Sequence, residues 1–210
     1  MREVADTALR LTDEEFDGLI QAEGADAPEL ADVRPGVLVA LEAVQAPLAA
    51  VQIGVSSRRH VQQHQLWVNE SCLGMLLDVK DEERQFNAAS PDLLPSSIAR
   101  LIRLGPRRVG ARVARVADPE VVHDLHDESE LLRGSSFDVL GMDWAWRIEA
   151  SLPGDSLALA GMDGADGLWL VAGDSEKLLL EPATATSVWR LLTRLLSLVS
   201  YAYSVNQIAM

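Results

Sequence analysis

VQIGVSSRRHVQQHQLWVNESCLGMLLDVKDEERQFNAASPDLLPSSIARLIRL, residues 51–104, and WRIEASLPGDSLALAGMDGADGLWLVAGDSEKLLLEPATATSVWRLLTRLLSL, residues 146–198, read as two copies of one pattern. Each opens with an alternating segment: Val51, Ile53 and Val55 in one, Trp146, Ile148 and Ala150 in the other. A polar turn follows, RRHVQQ in the first and PGDS in the second. A second and a third apolar strand come next, the third running from Met75 and from Leu168. A charged turn, DEER or DSEK, leads to a short fourth strand, and a proline opens an amphipathic helix. Strands so closely spaced, with no helix between them, must pair antiparallel, because parallel neighbours need a long crossover. The expected class is therefore α+β: an antiparallel sheet with flanking helices, built as two pseudo-symmetric ββββα repeats. The equivalences are Val51 with Trp146, Met75 with Leu168 and Ile98 with Leu191. One domain over 1–210 is expected, with halves at 1–110 and 111–210.

Outside the copies, Thr12-Asp-Glu-Glu15 is a capping box, flanked by Leu11 and Phe16 as its apolar staple. It predicts a helix from Asp13 to Glu23, stopped at Gly24. Pro35 opens a second helix that Pro47 stops. Ser90 and Pro91 open the helix of the first copy, with Leu94, Ile98, Leu101 and Ile102 as its apolar face. Between the copies, the spacing of Val121, Val122, Leu125, Leu131 and Leu132 predicts a helix over Glu120 to Leu132, with a loop at Gly134-Ser-Ser. Leu168 to Val171 is the most continuous apolar strand and is expected at the centre of the sheet. The last helix starts near Thr184 or Thr186. Val188, Leu191, Leu192, Leu195 and Val199 make its main stripe, and Trp189, Leu196 and Leu198 lie off it. A helix apolar on nearly all sides is expected to be covered twice.

The chain has 210 residues, 48% of them hydrophobic, and a net charge of −14. An acidic surface does not suit phosphate backbones, so nucleic acid is excluded as a partner. No stretch is long and apolar enough to span a bilayer, and the first residues carry no apolar core of signal-peptide length. The one cysteine, Cys72, permits no intrachain disulfide, which fits a cytoplasmic location. Arginine far outnumbers lysine, with Lys80 and Lys177 alone, and this suggests a GC-rich, actinobacterial genome.

Chemistry is thinly supported. His123 and His126, with Asp124 and Glu128, are the best metal candidates, but no third ligand stands at a defined spacing, so no metal and no cofactor are expected. His60 and His64 read as a surface turn, and Cys72 as a packed, inert thiol. Asp163-Gly-Ala-Asp-Gly167 lacks the alternate oxygens of a calcium loop and reads as a hairpin turn. The run from Arg107 to Arg115 reads as a solvated segment balanced by the acidic stretch after it. No phosphate-binding or nucleophile-elbow motif is present, and no catalytic residue is assigned.

The unit from APLAAVQIGVSSRR to SPDLLPSSIARLIRLGPR, with LTDEEFDGLIQAEG before it and the second copy after it, resembles the EspG-like family of actinobacterial type VII (ESX) secretion-associated proteins. The resemblance implies a central antiparallel sheet flanked by helical bundles with pseudo-twofold halves. It implies a non-catalytic cytosolic chaperone that keeps helical secretion substrates soluble. Family members grip their client with loops from the sheet. Here the turn at Glu70-Ser71 is short, and the chain reads as shorter than typical members. Leu198, Tyr201 and Tyr203 have little to pack on within one half and are expected to contact the protein client or a second subunit. The alternatives are a small metal-dependent enzyme using His123 to Glu128, or a structural homodimer without a client.

Overall fold

The computed structural model describes residues 2–5, 8–21, 35–80, 83–107, 110, 113–173 and 177–208. Eleven strands form one sheet: β1 (Arg2–Ala5), β2 (Ala8–Leu11), β3 (Ala49–Ser56), β4 (Val61–Val68), β5 (Leu73–Lys80), β6 (Glu83–Ala89), β7 (Arg115–Ala117), β8 (Met142–Leu152), β9 (Asp155–Gly164), β10 (Gly167–Gly173) and β11 (Leu178–Ala183). Their order is β1-β2-β6-β5-β4-β3-β8-β9-β10-β11-β7. All pairings are antiparallel. Six helices accompany them: α1 (Asp13–Gln21), α2 (Pro35–Gln45), α3 (Leu94–Leu101), α4 (Pro119–His123), α5 (Glu130–Leu140) and α6 (Ala185–Ile208). The expected α+β class and antiparallel sheet are therefore present.

Period-two alternation sorts the central strands onto two faces. Val51, Ile53, Val55, Leu66, Val68, Ile148 and Ala150 point one way, into a core closed by Leu94 and Ile98 of α3 and by Val188, Leu192, Leu195 and Val199 of α6. The opposite face carries two separate cores. Under α1 and α2, Phe16, Leu19, Val37 and Leu41 meet Leu9, Leu76 and Phe86. Under α4 and α5, Leu125, Phe137 and Leu140 meet Ala145, Met162, Trp169 and Leu180.

Local signals explain most element ends. The Thr12 amide donates to the Glu15 carboxylate at 2.9 Å, and the Glu15 amide donates to Thr12 Oγ1 at 3.2 Å, which closes the capping box. At α6, Thr184 and Ser187 exchange the same kind of bonds at 3.0 and 3.1 Å. Ser90 precedes a 3-10 turn, Pro91–Leu93, and makes no side-chain capping bond. The predicted end of the first helix, from Ala22 to Gly24, lies outside the described residues.

Four expectations are corrected. Leu168 to Val171 lies in β10, third from the β7 edge, while β3 is the sixth strand of eleven. The continuous apolar run reflects cover on both faces: Leu168 belongs to the α3/α6 core and Trp169 to the α5 core. The helix expected over Glu120 to Leu132 is broken. A 3-10 turn, Asp124–His126, follows α4, and Asp127 is extended at φ −68°, ψ 145°. Asp127 Oδ1 accepts the Ser129 amide at 2.7 Å, a local bond that competes with the helix ladder. Gly134-Ser-Ser is helical, and α5 stops instead at Gly141, whose φ of 68° is the left-handed helix end. The polar turn of the first copy covers residues 57–60 only, because Val61 already begins β4. Strands β1, β2 and β7 were not anticipated; they are short edge-side strands of three or four residues.

Two glycines test this packing in opposite directions. A Cβ on Gly161 would lie 2.4 Å from a Trp146 ring carbon and 2.8 Å from the Trp169 carbonyl oxygen. Gly161→Ala is expected to destabilise by about 1–3 kcal/mol through overpacking. A Cβ on Gly134, inside α5, would meet nothing within 4 Å. Gly134→Ala is expected to stabilise by roughly 0.5–1 kcal/mol. Urea midpoints measure both, and equal shifts of one sign would contradict the packing described.

Candidate functional site

The face opposite α3 and α6 is not fully covered. Helices α1 and α2 sit over β2, β6, β5 and part of β4, and α4 and α5 sit over β7, β11, β10 and the first residues of β8. Between these pairs the middle of β4, β3, β8 and β9 forms a floor. Gln52, Gln65, Glu149, Ser151 and Ala158 are exposed on it. Four strands span about 14–15 Å at ~4.8 Å spacing. A helix with side chains is about 10–12 Å across. The trough is therefore wide enough for one helix.

The floor is chemically polar and neutral in the main. Gly54 lacks the side chain that would collide with Arg147, whose Nε lies 3.0 Å from the position of a Cβ there, with Gln63 Oε1 at 3.2 Å. Arg147 thus lies over the glycine towards Gln63. Beside α1 the trough deepens into a hollow of about 340 Å³, lined by Asp13, Phe16, Asp17, Ile20, Gln63, Gln65, Trp67, Leu76 and Arg84. Arg84 fixes that bank through Asp13, 2.8 Å away, and Asp78, 3.5 Å away. On the α4 bank a smaller hollow of about 150 Å³ includes Val122, His123, His126, Arg147 and Ala160. Amides, two guanidiniums and apolar walls can hold a surface.

The residues singled out from the sequence disperse. His123 is exposed at the end of α4, with 82% of its side chain open, and its Nδ1 is 4.0 Å from Asp124. His126 is partly buried, and its Nδ1 has no hydrogen-bond partner. Among the described residues no three His, Cys, Asp or Glu side chains come together to hold a metal ion. His60 is exposed, but His64 is only 4% exposed, inside β4, which overturns the surface-turn reading for it. Its Nδ1 accepts the Asp78 amide at 3.1 Å. Cys72 is buried, and burial raises its thiol pKa, which keeps it unreactive. Residues 163–167 form the β9–β10 hairpin, as expected.

Where it is described the arginine run is mostly exposed, as expected at Arg107, Gly110, Val113 and Ala114, but two of its arginines are tied to the fold. Arg107 pairs with Asp163. Arg115 stacks 4.8 Å over Trp169 and donates to the Leu140 carbonyl at 2.8 Å. Arg108 and Arg112 lie outside the described residues. On α6 the stripe is buried as expected, except that Leu191 is half-buried. Trp189 and Leu198, each 40% exposed, lie open, so the described residues do not cover this helix on a second side. The side chains of Tyr201 and Tyr203 lie outside those described. The trough itself escaped sequence reading, although Gln52 on β3 and Gln63 and Gln65 at alternate positions of β4 were its available signal.

No family model and no curated protein matches the chain. A solved structure does: the Mycobacterium tuberculosis type VII secretion system chaperone EspG5, in complex with a PE25-PPE41 dimer. The TM-score is 0.57 at 11% sequence identity, covering 91% of this chain and 96% of that chain. The match spans nearly all of both chains. The chain has an EspG-like fold.

Buried His64 and partly buried His126 make stability depend on pH. Burial is the main cause that lowers His64 to about 4, opposed by the Asp78 carboxylate and aided by Arg84. His126 is likewise lowered to about 4 by burial, then by Arg147 and His123. An unfolded histidine titrates near 6.5. As pH falls below about 6.5, the unfolded chain takes up protons that the folded chain refuses until about 4. Stability present above that window is lost within it, by up to about 1.4 kcal/mol per pH unit for each histidine. Urea midpoints at pH 6.5 and 5.0 should differ, and His64→Gln with His126→Gln should reduce the difference. An unchanged slope in the double variant would contradict the assignment.

Proposed function

We propose that this chain is a non-catalytic, chaperone-like binding protein that keeps a helical secretion client soluble in the cytoplasm before type VII export. The observation that carries this is the open floor of β4, β3, β8 and β9 between two helix pairs, on a fold that matches a type VII secretion chaperone. The relative was solved with a PE25-PPE41 dimer; for this chain, a client of related helical build is the proposal. Glutamine amides on the floor hydrogen-bond to a polar helix face, and Phe16, Ile20 and Trp67 offer apolar contact at one bank. The chain needs no cofactor for this, and an actinobacterial source fits its arginine-rich composition.

The halves belong to the same proposal. We read the chain as one domain, with repeats in 1–110 and 111–210. The strand order supports this, since β6-β5-β4-β3 is followed by β8-β9-β10-β11 as its mirror. Val51 and Trp146 both lie in strands, Met75 and Leu168 both in strands, and Ile98 and Leu191 both in helices. Ile53 stands directly opposite Ile148, where a local twofold would pass.

Leu198, Tyr201 and Tyr203 of α6 form the proposed second contact, with the client or with another copy. The exposure of Leu198 and Trp189 supports it. Gln52→Arg with Gln65→Arg is expected to abolish client capture from native-host extract, with the urea midpoint nearly unchanged. Leu198→Ser with Tyr201→Ser should weaken association by about tenfold or more, again with little loss of stability, since hot-spot truncations of this kind cost ~1–2 kcal/mol. If only the α6 pair matters, the trough is not the client site. If neither pair matters while the protein stays folded, the chaperone reading fails.

A further inference from the structure

Beyond the C-terminal end of α3 lies a cleft of about 680 Å³, separate from the trough. The β3–β4 turn, the end of β5, the start of β8 and the segment after α3 converge there. Its apolar lining is Val55, Val61, Val79 and Trp144. This volume falls in the range of small-molecule sites, about 300–1,000 Å³.

One wall is held in an uncommon conformation. Arg103, with φ 55°, is the one non-glycine residue in the left-handed region among the described residues. That conformation is disfavoured for a residue with a side chain, because Cβ crowds the following carbonyl oxygen. Three contacts hold it. The Arg103 guanidinium lies 4.0 Å over the Trp144 ring. Trp144 Nε1 donates to the Ile102 carbonyl at 3.1 Å. Arg107 Nη2 donates to the Arg103 carbonyl at 3.2 Å, while Arg107 pairs with Asp163.

The charges at the cleft are mostly spoken for. Asp163 is taken by Arg107, and Asp78 by Arg84 and by the Gln63 amide at 3.3 Å. Among the described residues Arg103 makes no ion pair with a carboxylate. One free guanidinium thus stands beside an apolar lining. Asp143 also lines the cleft, so with Asp78 and Asp163 paired a single unpaired guanidinium is too little positive charge for a polyanion such as a nucleotide. The chemistry that remains is a single carboxylate on an apolar body.

We propose that this cleft binds a monocarboxylate with an apolar chain, its charge on Arg103 and its chain along Val55, Val61 and Val79. Two sources share that chemistry: a free acid, and the carboxyl terminus of a peptide ending in an apolar residue. The test titrates octanoate and octanamide into the full chain by calorimetry. Octanoate should bind saturably, and octanamide at least tenfold more weakly. Arg103→Asn removes the cation while asparagine tolerates the left-handed backbone, and it should weaken octanoate at least tenfold with an unchanged urea midpoint. The octanamide comparison needs no variant, so it stands even if Arg103→Asn fails to fold. An acetylated Ala-Ala-Leu peptide with a free terminus, compared with its amide, identifies the source. Tighter binding than octanoate assigns a chain terminus, and weaker binding a free acid. Equal binding of octanoate and octanamide, no saturable binding of either carboxylate, or full octanoate binding by a folded Arg103→Asn overturns the proposal.

Discussion

The antiparallel pairing of β3 with β8 is the contact on which the rest of the molecule depends. It runs from Ala50 opposite Ser151 to Ser56 opposite Ala145, without a bulge. Only this ladder joins the first four-stranded set to the second within the sheet. Its inward residues, Val51, Ile53, Val55, Trp146, Ile148 and Ala150, are all 2% exposed or less. Full burial of one such side chain is worth about 1.5–3 kcal/mol. A slip of β8 by one residue would send Trp146, Ile148 and Ala150 to the trough and bring Arg147 and Glu149 into the core. The register is therefore fixed by the same alternation that makes one face apolar and the other polar.

That alternation also divides the labour of the helices. On the apolar side, α3 and α6 pack on the centre of the sheet and share one core with both strand sets. On the polar side, the helix pairs find apolar strand residues only towards the edges: Leu76, Phe86 and Leu9 on one flank, Met162, Trp169 and Leu180 on the other. Glutamines at 52, 63 and 65 give a helix nothing apolar to bury in between. The trough stays open because closing it would desolvate amides without matching partners. An occupant that supplied those partners would avoid that penalty, so the polar floor is compatible with the reversible binding proposed for it.

Much of this was legible in the sequence, and the failures have identifiable causes. The capping box at Thr12, the proline that opens α2 and the alternation of Val51 to Val55 are local signals with one physical solution each. The error at Gly134 came from weighing a glycine without its environment, for Ser136 and Phe137 are buried and hold α5 together through it. His64 was misread because a histidine among glutamines looks solvated, whereas strand parity turns residue 64 inward beside Leu66. Arg115 looked like surface charge, and only the fold shows it lying on Trp169. The trough and the Arg103 cleft depend on which strands become neighbours, and no short window of sequence carries that information.

The β3–β4 turn shows how the halves are locked beyond the ladder itself. Arg133 of α5 is 3% exposed, and its Nε donates to the Ser57 carbonyl at 2.9 Å. Its Nη1 donates to the Glu128 carbonyl at 3.1 Å and also to the Asp127 carbonyl. A guanidinium this deeply placed must spend its donors, and backbone carbonyls of a turn and a loop take them without a buried carboxylate. The Arg58–Asp138 pair adds a second tie between the same turn and the same helix. The turn between β3 and β4 is thus pinned to the helix that leads into β8. Rotation of one strand set against the other would strand a buried cation, a cost of several kcal/mol. The sheet centre is consequently a floor tied from both flanks, and under the proposed function a client would meet a surface already in its bound form, which would keep the ordering cost of association low.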